Sequence, residues 1–298
     1  MDKLPKVAVL LAAFEGEKYI KEQIESILKQ KDVNVKIFIS LDKSTDRTLD
    51  IINRLKNKTD KIDLLPYGQS YGSAGMNFFR LITEVNFSSF DFISLSDQDD
   101  IWMDEKLSTA CSDLYNRKAS GYSSDVLAFW ENGKERIIKK TYSQKKWDYL
   151  FEAGGPGCTY VLTKSLGLEI KEKIKHISQE DLKKICIHDW FIYAYARANK
   201  LTWIFGKTPH VRYRQHNDNS LGANTNLRSF KKRYDLIKNG WFKNQTFTLI
   251  KVLDIKSAEK ELFRKSSKIS LLKSVNQLRR KRLDRFYLSI LICLGFFN

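Results

Sequence analysis

The chain has 298 residues, of which 42% are apolar and 12% aromatic, and this composition excludes a disordered or low-complexity protein. Its net charge of +17 is uneven, because residues 226–298 hold 18 Lys and Arg against 5 Asp and Glu, whereas the residues before them are nearly neutral. The four cysteines lie far apart and form no CxxC pair, which disfavours a zinc site or a disulfide framework and fits reduced thiols in a cytosolic protein.

Strands and helices alternate through the first hundred residues. Apolar runs and helical spacing predict strands at 7–13, 35–41, 61–65 and 90–96, with helices at 17–30, after residue 44 and at 77–85 between them. This order predicts an α/β fold with a mostly parallel sheet and helices on both faces. The alternation weakens from 105 to 225, where we expect helices at 104–116 and 189–199 and strands at 126–130, 159–163 and 202–205.

Neither end of the sequence predicts a signal peptide or a membrane-spanning helix. The apolar run near the N-terminus is short and continues directly into the alternating pattern. The longest apolar stretch, residues 286–297, is well short of the roughly 20 residues that a spanning helix needs.

An acidic cluster, Ser96 to Asp100, follows the strand predicted at 90–96. Ligands of parallel sheets bind beyond the carboxyl ends of the strands, so this cluster lies where chemistry is expected. Two interpretations are open: a solvated loop that caps a helix, or a site for Mg²⁺ or Mn²⁺, which prefer oxygen ligands and commonly bridge substrate phosphates.

Five segments resemble, in the right order, motifs of the family 2 glycosyltransferases of the GT-A fold. They are VAVLLAAFEGEKYIKEQIESILKQ, ISLDKSTDRT, FISLSDQDDIWMDEKL, IHDWFIYAYA and, more weakly, YRQHNDNSLGA. Within that family the chain is similar to the rhamnosyltransferase-like bacterial polysaccharide enzymes, over roughly residues 6–223. The resemblance implies a GT-A, Rossmann-like sheet and transfer of a sugar from a nucleotide-sugar donor.

Residue by residue, the resemblance implies three groups of site residues. The nucleotide would be held by the residues Ala12, Ala13, Phe14, Glu15, Asp42 and Asp97. Asp99 would bind Mn²⁺ or Mg²⁺, His216 would either complete this metal site or contact the diphosphate, and Asp189 would be the catalytic base. Three positions depart from the family pattern: Glu15 stands where Asn is common, Leu41 where Asp is common, and Lys43 where Gly is common.

Four further residues are candidates for contact with the donor or acceptor sugar. Gly155 belongs to a glycine-rich segment at 154–157, which is either a close-approach loop or a tight turn. Trp102 and Trp190 follow acidic motifs, and each either stacks on a sugar or packs against the sheet. His188 is either a packed residue at the start of a helix or a contact to acceptor or phosphate.

We expect a catalytic domain at 1–225 and a basic amphipathic helical C-terminal region at 226–298. Residues 1–100 would form the nucleotide-binding half of the catalytic domain, and residues 101–225 the acceptor-binding half. On a helical wheel, one side of the C-terminal region carries Leu272, Val275, Leu283, Phe286, Ile290 and Leu294, with Arg279 interrupting the stripe. Such a helix fits an anionic membrane surface, and the open alternative is packing on the body or on a second subunit of a homo-oligomer.

The predicted function is an inverting, metal-dependent transfer of rhamnose or a hexose. The donor would be dTDP-rhamnose or a UDP-hexose, and the acceptor a hydroxyl of a lipid-linked saccharide used for cell-surface polysaccharide. The enzyme would lie in the cytoplasm, on the inner face of the cell membrane. The alternative is a non-catalytic α/β protein that binds nucleic acid or anionic lipid, although the basic clusters match no nucleic-acid-binding module, so we expect no nucleic-acid partner.

Overall fold

A seven-stranded sheet lies at the centre of the computed structural model, which describes residues 3–185, 187–216, 238–263 and 267–297. Its strands, in chain order, are β1 Lys6–Ala13, β2 Asn34–Leu41, β3 Ile62–Leu64, β4 Phe92–Ser96, β6 Gly121–Ser124, β9 Val161–Thr163 and β10 Trp203–Gly206. Their order across the sheet is β10-β6-β9-β4-β1-β2-β3, and β9 alone runs antiparallel to its neighbours. The predicted mostly parallel sheet is therefore confirmed.

The parallel register brings three motifs to one edge. Strand β1 pairs with β2 so that Ala13 lies opposite Leu41, and it pairs with β4 so that Leu11 lies opposite Ser96. Phe14, Asp42 and Asp97 therefore leave the sheet at neighbouring positions, as expected for a ligand site at the carboxyl ends of parallel strands.

Helices cover both faces of this sheet, as predicted. They are α1 Ile20–Leu28, α2 Thr48–Lys56, α3 Ala74–Glu84, α4 Lys106–Asn116, α5 Lys164–Lys175, α6 Gln179–Lys184 and α7 His188–Ala198. Alternate residues of β1 belong to different cores, because successive side chains of a strand point to opposite faces. One core joins β1 to α1, α2 and α4, and the other joins it to α3, α5 and α7.

A second sheet lies beside the acidic cluster. It contains β5 Ile101–Trp102, β7 Val126–Trp130, β8 Glu135–Ile138 and β11 Val211–Gln215, in the order β5-β11-β7-β8. The sequence analysis anticipated β7 but not β5, β8 or β11. The strand expected at 159–163 is shorter, because residues 157–159 form a 3-10 turn before β9.

Four helices form the described part of the C-terminal region: α8 Trp241–Val252, α9 Lys256–Leu262, α10 Ser267–Ser274 and α11 Arg282–Cys293. Their buried side chains, among them Leu249, Leu262 and Leu288, belong to the same core as α3, α5 and α7. The single helical stripe from Leu272 to Leu294 is wrong, because a 3-10 turn at Val275–Gln277 and an extended link interrupt it.

Across the described residues, the structure contains no helix that is both long and apolar enough to cross a membrane. One basic cluster of the C-terminal region, residues 231–233, and most of the segment YRQHNDNSLGA lie outside the described residues.

Candidate active site

Phe14 and Gln98 lock the first turn of the site to the acidic cluster. The backbone N–H of Phe14 donates to Oε1 of Gln98 at 2.8 Å, and Nε2 of Gln98 donates back to the carbonyl of Phe14 at 2.8 Å. A β-carbon at Gly16 would lie 2.4 Å from the same Gln98 oxygen, so a side chain at this position would displace the Gln98 amide from Phe14. The sequence analysis missed Gln98, although its place between two motif aspartates is a signal that could have revealed it.

Glu15 has a left-handed backbone, with φ of 46°. Asn tolerates this conformation better than most residues, which explains why a family with this turn would favour Asn there. In this chain Oε1 of Glu15 instead accepts the N–H of Thr45 at 2.7 Å and the Thr45 hydroxyl at 3.0 Å. The departure from Asn is therefore compensated by a link between the turns that follow β1 and β2.

Asp42 is buried, and its carboxylate holds the loop that precedes α3. Oδ1 accepts the N–H groups of Lys43 at 3.0 Å and Tyr71 at 2.8 Å, and Oδ2 accepts that of Gly72 at 3.1 Å. Asn77 supports the same edge, because its Nδ2 donates to the carbonyls of Ser40 and Ala13. Asp42 is thus positioned at the expected nucleotide edge, with both carboxylate oxygens hydrogen-bonded to backbone.

The acidic cluster meets the end of β11. Nε2 of His216 lies 2.7 Å from Oδ2 of Asp99, so the structure brings together the two residues predicted to bind a metal. Arg214 holds the acidic loop against the end of β11. Its Nε donates to the carbonyl of Asp99 at 2.8 Å, and its backbone N–H donates to Oδ1 of Asp100 at 3.2 Å. The sequence analysis missed Arg214, which is more than a hundred residues away in the chain.

The carboxylates of this cluster lie close together, and their negative charges are not fully balanced by neighbouring positive groups. Desolvation and the charges of Asp99 and Asp189 raise the pKa of Asp97 to about 7. Desolvation and the charges of Asp99 and Asp97 also raise the pKa of Asp100, whose Oδ2 is buried and has no hydrogen-bond partner within the described structure. Ligand atoms of Asp97, Asp100 and Cys158 lie within 4.8 Å of one another. Added positive charge would therefore stabilise this site.

Lys106 and Trp102 pack beneath the cluster. Nζ of Lys106 donates to Oγ of Ser94 at 2.9 Å and lies 3.3 Å from the centre of the Trp102 ring. Desolvation lowers the pKa of Lys106 to about 7. Trp102 is only 2% exposed and belongs to the core, so the packing alternative holds for it and its indole is not free to stack on a sugar.

Asp189 lies in the first turn of α7, directly against the glycine-rich segment. A β-carbon at Gly157 would lie 3.0 Å from Cβ of Asp189 and 3.1 Å from Nε2 of His188, so glycine permits this approach. Desolvation raises the pKa of Asp189 to about 6, against the opposite effect of the N–H groups of Trp190 and Gly157 and the charge of Lys140. Its Oδ1 is buried and has no partner among the described residues.

The three remaining candidates for sugar contact are two buried side chains, Trp190 and His188, and one glycine, Gly155. Trp190 is buried, its Nε1 donates to the carbonyl of Tyr149 at 2.8 Å, and its ring packs near Phe242, so packing holds for this residue as well. His188 stacks on Phe78 with ring centres 3.9 Å apart, and burial lowers its pKa to about 3, which keeps the imidazole neutral. Gly155 has φ of 142°, a value that requires glycine.

Comparison with known proteins decides the family. The profile of glycosyltransferase-like family 2 matches residues 5–140. A dTDP-rhamnosyl transferase of Shigella flexneri, RfbG, is 38% identical over 290 residues, which cover 96% of this chain and 100% of that protein. The chain belongs to glycosyltransferase family 2. It is therefore a glycosyltransferase, and the resemblance stated from its motifs is confirmed.

Other family relatives and solved structures agree with this assignment. The Escherichia coli UDP-Glc:alpha-D-GlcNAc-diphosphoundecaprenol beta-1,3-glucosyltransferase WfgD is 28% identical over 54% of this chain and 61% of its own length. S. aureus TarS 1-349 with UDP-GlcNAc has a TM-score of 0.56 at 12% identity, covering 98% of this chain and 89% of that one. The mannosyltransferase PcManGT of Pyrobaculum calidifontis, with GDP-Man and Mn²⁺, has a TM-score of 0.51 at 13% identity, covering 96% and 79%. These structures share the GT-A fold.

Arg280, from the link before α11, anchors the segment that leads to the glycines of this glycosyltransferase. Its backbone N–H donates to Oε1 of Glu152 at 2.6 Å, and Nη2 donates to the carbonyl of Ala153. Nε also lies 3.3 Å from Glu152 and 3.8 Å from Asp148. Part of the basic charge in the C-terminal region is therefore buried and paired, which the sequence analysis did not anticipate.

Proposed function

We propose that this glycosyltransferase transfers rhamnose from dTDP-rhamnose to a hydroxyl of a lipid-linked saccharide during synthesis of a cell-surface polysaccharide. The observation that carries the proposal is the 38% identity, over nearly the whole of both chains, to a dTDP-rhamnosyl transferase. The site supports it, because the carboxyl ends of the strands hold an acidic cluster and an exposed aromatic residue at Phe14, and the charge of Asp189, at the start of α7, acts on Asp97 of that cluster.

We assign Asp189 as the general base. A general base must be deprotonated at the working pH, and a carboxylate with a pKa of about 6 is ionised at neutral pH. The Asp189 carboxylate would accept the proton of the acceptor hydroxyl as that oxygen attacks the anomeric carbon. One base opposite the leaving diphosphate gives a single displacement, so we propose that the enzyme inverts the anomeric configuration.

We propose that Mn²⁺ or Mg²⁺ binds at the acidic cluster. The donor set fits, because Asp99 and His216 already meet at 2.7 Å and the raised pKa values of Asp97 and Asp100 show a deficit of positive charge. Asp99 and His216 would hold the ion, with Asp97 contacting it or the ribose. When bound, the cation would stabilise the negative charge that develops on the departing diphosphate.

We place the nucleotide along the edge formed by the end of β1 and the turn after it. The residues proposed to contact or shape this site are Ala12, Ala13, Phe14, Glu15 and Asp42. The Phe14 side chain is 53% exposed and so offers a ring face to a base. Asp42 would act by ordering Tyr71 and Gly72 beside the nucleotide, since its oxygens already accept their N–H groups.

We further propose that residues 1–225 form the catalytic unit and that α11 attaches it to the inner face of the membrane. Five apolar side chains in and just after α11 are between 41% and 67% exposed: Leu283, Phe286, Tyr287, Ile290 and Leu294. Lys281 and Arg282 flank this apolar face and are exposed as well. An apolar helix face with basic neighbours fits an anionic lipid interface.

A donor panel tests the activity. Purified full-length protein would be incubated with dTDP-rhamnose, UDP-glucose or UDP-GlcNAc, with Mn²⁺, Mg²⁺ or a chelator, and released nucleotide would be measured. We expect turnover of dTDP-rhamnose that stops with chelator and falls by at least about 100-fold in Asp99→Asn and Asp189→Asn. Asp60→Asn, an exposed carboxylate far along the chain from both, is the matched control and should keep full activity. Turnover of UDP-glucose alone would contradict the proposed donor.

Liposome binding tests the membrane surface separately. We expect the full chain to sediment with phosphatidylglycerol vesicles and not with phosphatidylcholine vesicles, and to bind about tenfold more weakly after Phe286→Ala. Tyr115→Ala removes an aromatic side chain that is 81% exposed on α4 and should not affect binding. Equal loss in the two variants would show that α11 has no special role.

A further inference from the structure

Cys158 meets the acidic cluster through the pairing of two strands. Strand β9 runs antiparallel to β4, with Val161 opposite Ser94, and the same register continued past both strands places Cys158 opposite Asp97. Antiparallel pairing thus brings the residues that follow β4 beside the residues that precede β9. Ligand atoms of Asp97, Asp100 and Cys158 accordingly lie within 4.8 Å of one another.

The turn that carries Cys158 is held firmly in place. Residues 157–159 form a 3-10 turn directly before β9. The Thr159 hydroxyl donates to the Pro156 carbonyl at 2.7 Å and accepts the backbone N–H of Ser124 at 3.1 Å. Cys158 itself is 1% exposed. Its sulfur therefore has a fixed, buried position beside the acidic loop, and the proposed mechanism does not use it.

One oxygen of Asp100 has a partner and the other has none. Oδ1 accepts the backbone N–H of Arg214 at 3.2 Å. Oδ2 is buried and has no hydrogen-bond partner among the residues that the structure describes, and Asp100 as a whole is only 1% exposed. A buried carboxylate oxygen without a partner costs free energy, and a bound cation would remove that cost.

This donor set differs from the one proposed for Mn²⁺ or Mg²⁺. Asp99 and His216 offer oxygen and nitrogen and contact each other at 2.7 Å, whereas Asp97, Asp100 and Cys158 offer two oxygens and a sulfur. Thiolate sulfur is a ligand for thiophilic ions such as Zn²⁺, whereas Mg²⁺ takes oxygen ligands. The sulfur therefore favours a different kind of ion.

The spacing fits a tetrahedral ion with one open position. Zn²⁺ binds thiolate at about 2.3 Å and carboxylate oxygen at about 2.0–2.2 Å, so its ligands lie roughly 3.5 Å apart. Because the three ligand atoms already lie within 4.8 Å, small rotations of the carboxylates close the site around an ion. Asp97 is half-buried and so gives an ion access from the surface. Three protein ligands leave the fourth position of the ion to water.

We propose that Asp97, Asp100 and Cys158 form a second cation site, selective for a thiophilic divalent ion such as Zn²⁺. On binding, the Cys158 sulfur bonds to the ion as a thiolate and its proton is released to solvent. The ion would occupy Asp97, which the proposed function assigns to the donor, and would thus inhibit transfer even when Mg²⁺ is bound at Asp99. Only this inhibition rests on the proposed function, whereas the site itself goes beyond it.

Titration of the full chain with Cd²⁺ tests the site, because a cadmium–thiolate bond absorbs in the ultraviolet. Excess Mg²⁺ would fill the Asp99 site, and a non-thiol reductant would keep the cysteines reduced. We expect one equivalent to bind, and Cys158→Ser to lose the absorbance and raise Kd at least about 100-fold, since even supporting groups of a metal site are worth about 10–100-fold. Cys111→Ser removes another buried thiol, 3% exposed, and should keep both.

Asp100→Asn is an independent variant, because its amide oxygen can still accept the Arg214 N–H while the negative charge is lost. We expect its Kd for Cd²⁺ to rise about tenfold or more, with the thermal transition retained as a check on folding. Asp60→Asn, at an exposed carboxylate, is its matched control and should bind Cd²⁺ like the unmodified protein.

Three results would overturn the inference: no absorbance at one equivalent of Cd²⁺, absorbance that survives in Cys158→Ser, or equal loss in Cys158→Ser and Cys111→Ser. Inhibition has its own measurement. One equivalent of Zn²⁺ should lower dTDP-rhamnose turnover in Mg²⁺ about tenfold or more, and Cys158→Ser should resist it. Equal inhibition of both proteins would refute the inhibitory role. Because the cadmium titration needs no turnover, an inactive donor panel would count against the proposed function and not against this site.

Discussion

Replacing Arg280 with Gln should destabilise the enzyme and slow it, although Arg280 lies more than ninety residues after the base. Arg280 is 5% exposed, and its guanidinium meets Glu152, Asp148 and the carbonyl of Ala153. Breaking a buried ion pair costs about 3–5 kcal/mol when the remaining charge has no other partner. Here Asp148 keeps Arg197 at 2.8 Å and Glu152 keeps the backbone N–H of residue 280, so we expect about 2–3 kcal/mol.

Two measurements check this expectation. In thermal unfolding, about 2–3 kcal/mol corresponds to a decrease in Tm of about 5 °C for a chain of this size. In donor hydrolysis below the melting range, kcat should fall about tenfold with little change in the donor KM, because Ala153 leads into the glycine-rich segment whose Gly157 contacts Asp189, and a small displacement of a base is costly. Arg282→Gln removes an exposed charge two residues away and is the control. If Arg280→Gln behaves like Arg282→Gln in both measurements, the anchoring argument is wrong.

Three further predictions concern the site itself. The kcat of transfer should fall about tenfold per pH unit below pH 6, because Asp189, with a pKa of about 6, must lose its proton to act as base; a flat profile from pH 5 to 8 would exclude it. Gly157→Ala should lower kcat by about tenfold or more, since the new methyl group would meet Asp189 at 3.0 Å and His188 at 3.1 Å; unchanged kcat would show that the contact is irrelevant. Glu15→Asn should leave stability nearly unchanged, whereas Glu15→Val should lower the free energy of unfolding by about 1–2 kcal/mol because of the left-handed φ of 46°, as chemical denaturation would show.

The sequence alone was sufficient for the alternating part of the fold and for the motifs. Strands β1, β2 and β4 are apolar runs bounded by helical patterns, and this local periodicity directly reflects which faces are buried. The aspartates at the strand ends follow, because parallel register places the ends of neighbouring strands together. These features depend on neighbours within a few residues, so a single sequence contains them.

Other features depend on contacts between distant residues, and only the tertiary structure decided them. The pairing of Asp99 with His216 spans 117 positions, and that of Glu152 with Arg280 spans 128. No local pattern distinguishes an arginine that will be buried against a carboxylate from one that will face solvent, and Arg280 and Arg282 are both part of the same basic run. The tryptophans at 102 and 190 show the same limit, since an indole beside a motif serves equally well as core or as sugar platform until its neighbours are known.

The uneven charge of the chain shows both contributions. Counting residues places the excess positive charge in the C-terminal region, but only the fold shows which of these basic residues are buried and which are exposed. Arg280 turns inward to carboxylates of the body, Arg279 keeps 24% of its side chain exposed near Glu152, and Lys281 and Arg282 lie exposed next to the apolar face of α11. The physical reason is the 3-10 turn and extended link before α11, which break the helical stripe and allow adjacent basic residues to point in different directions.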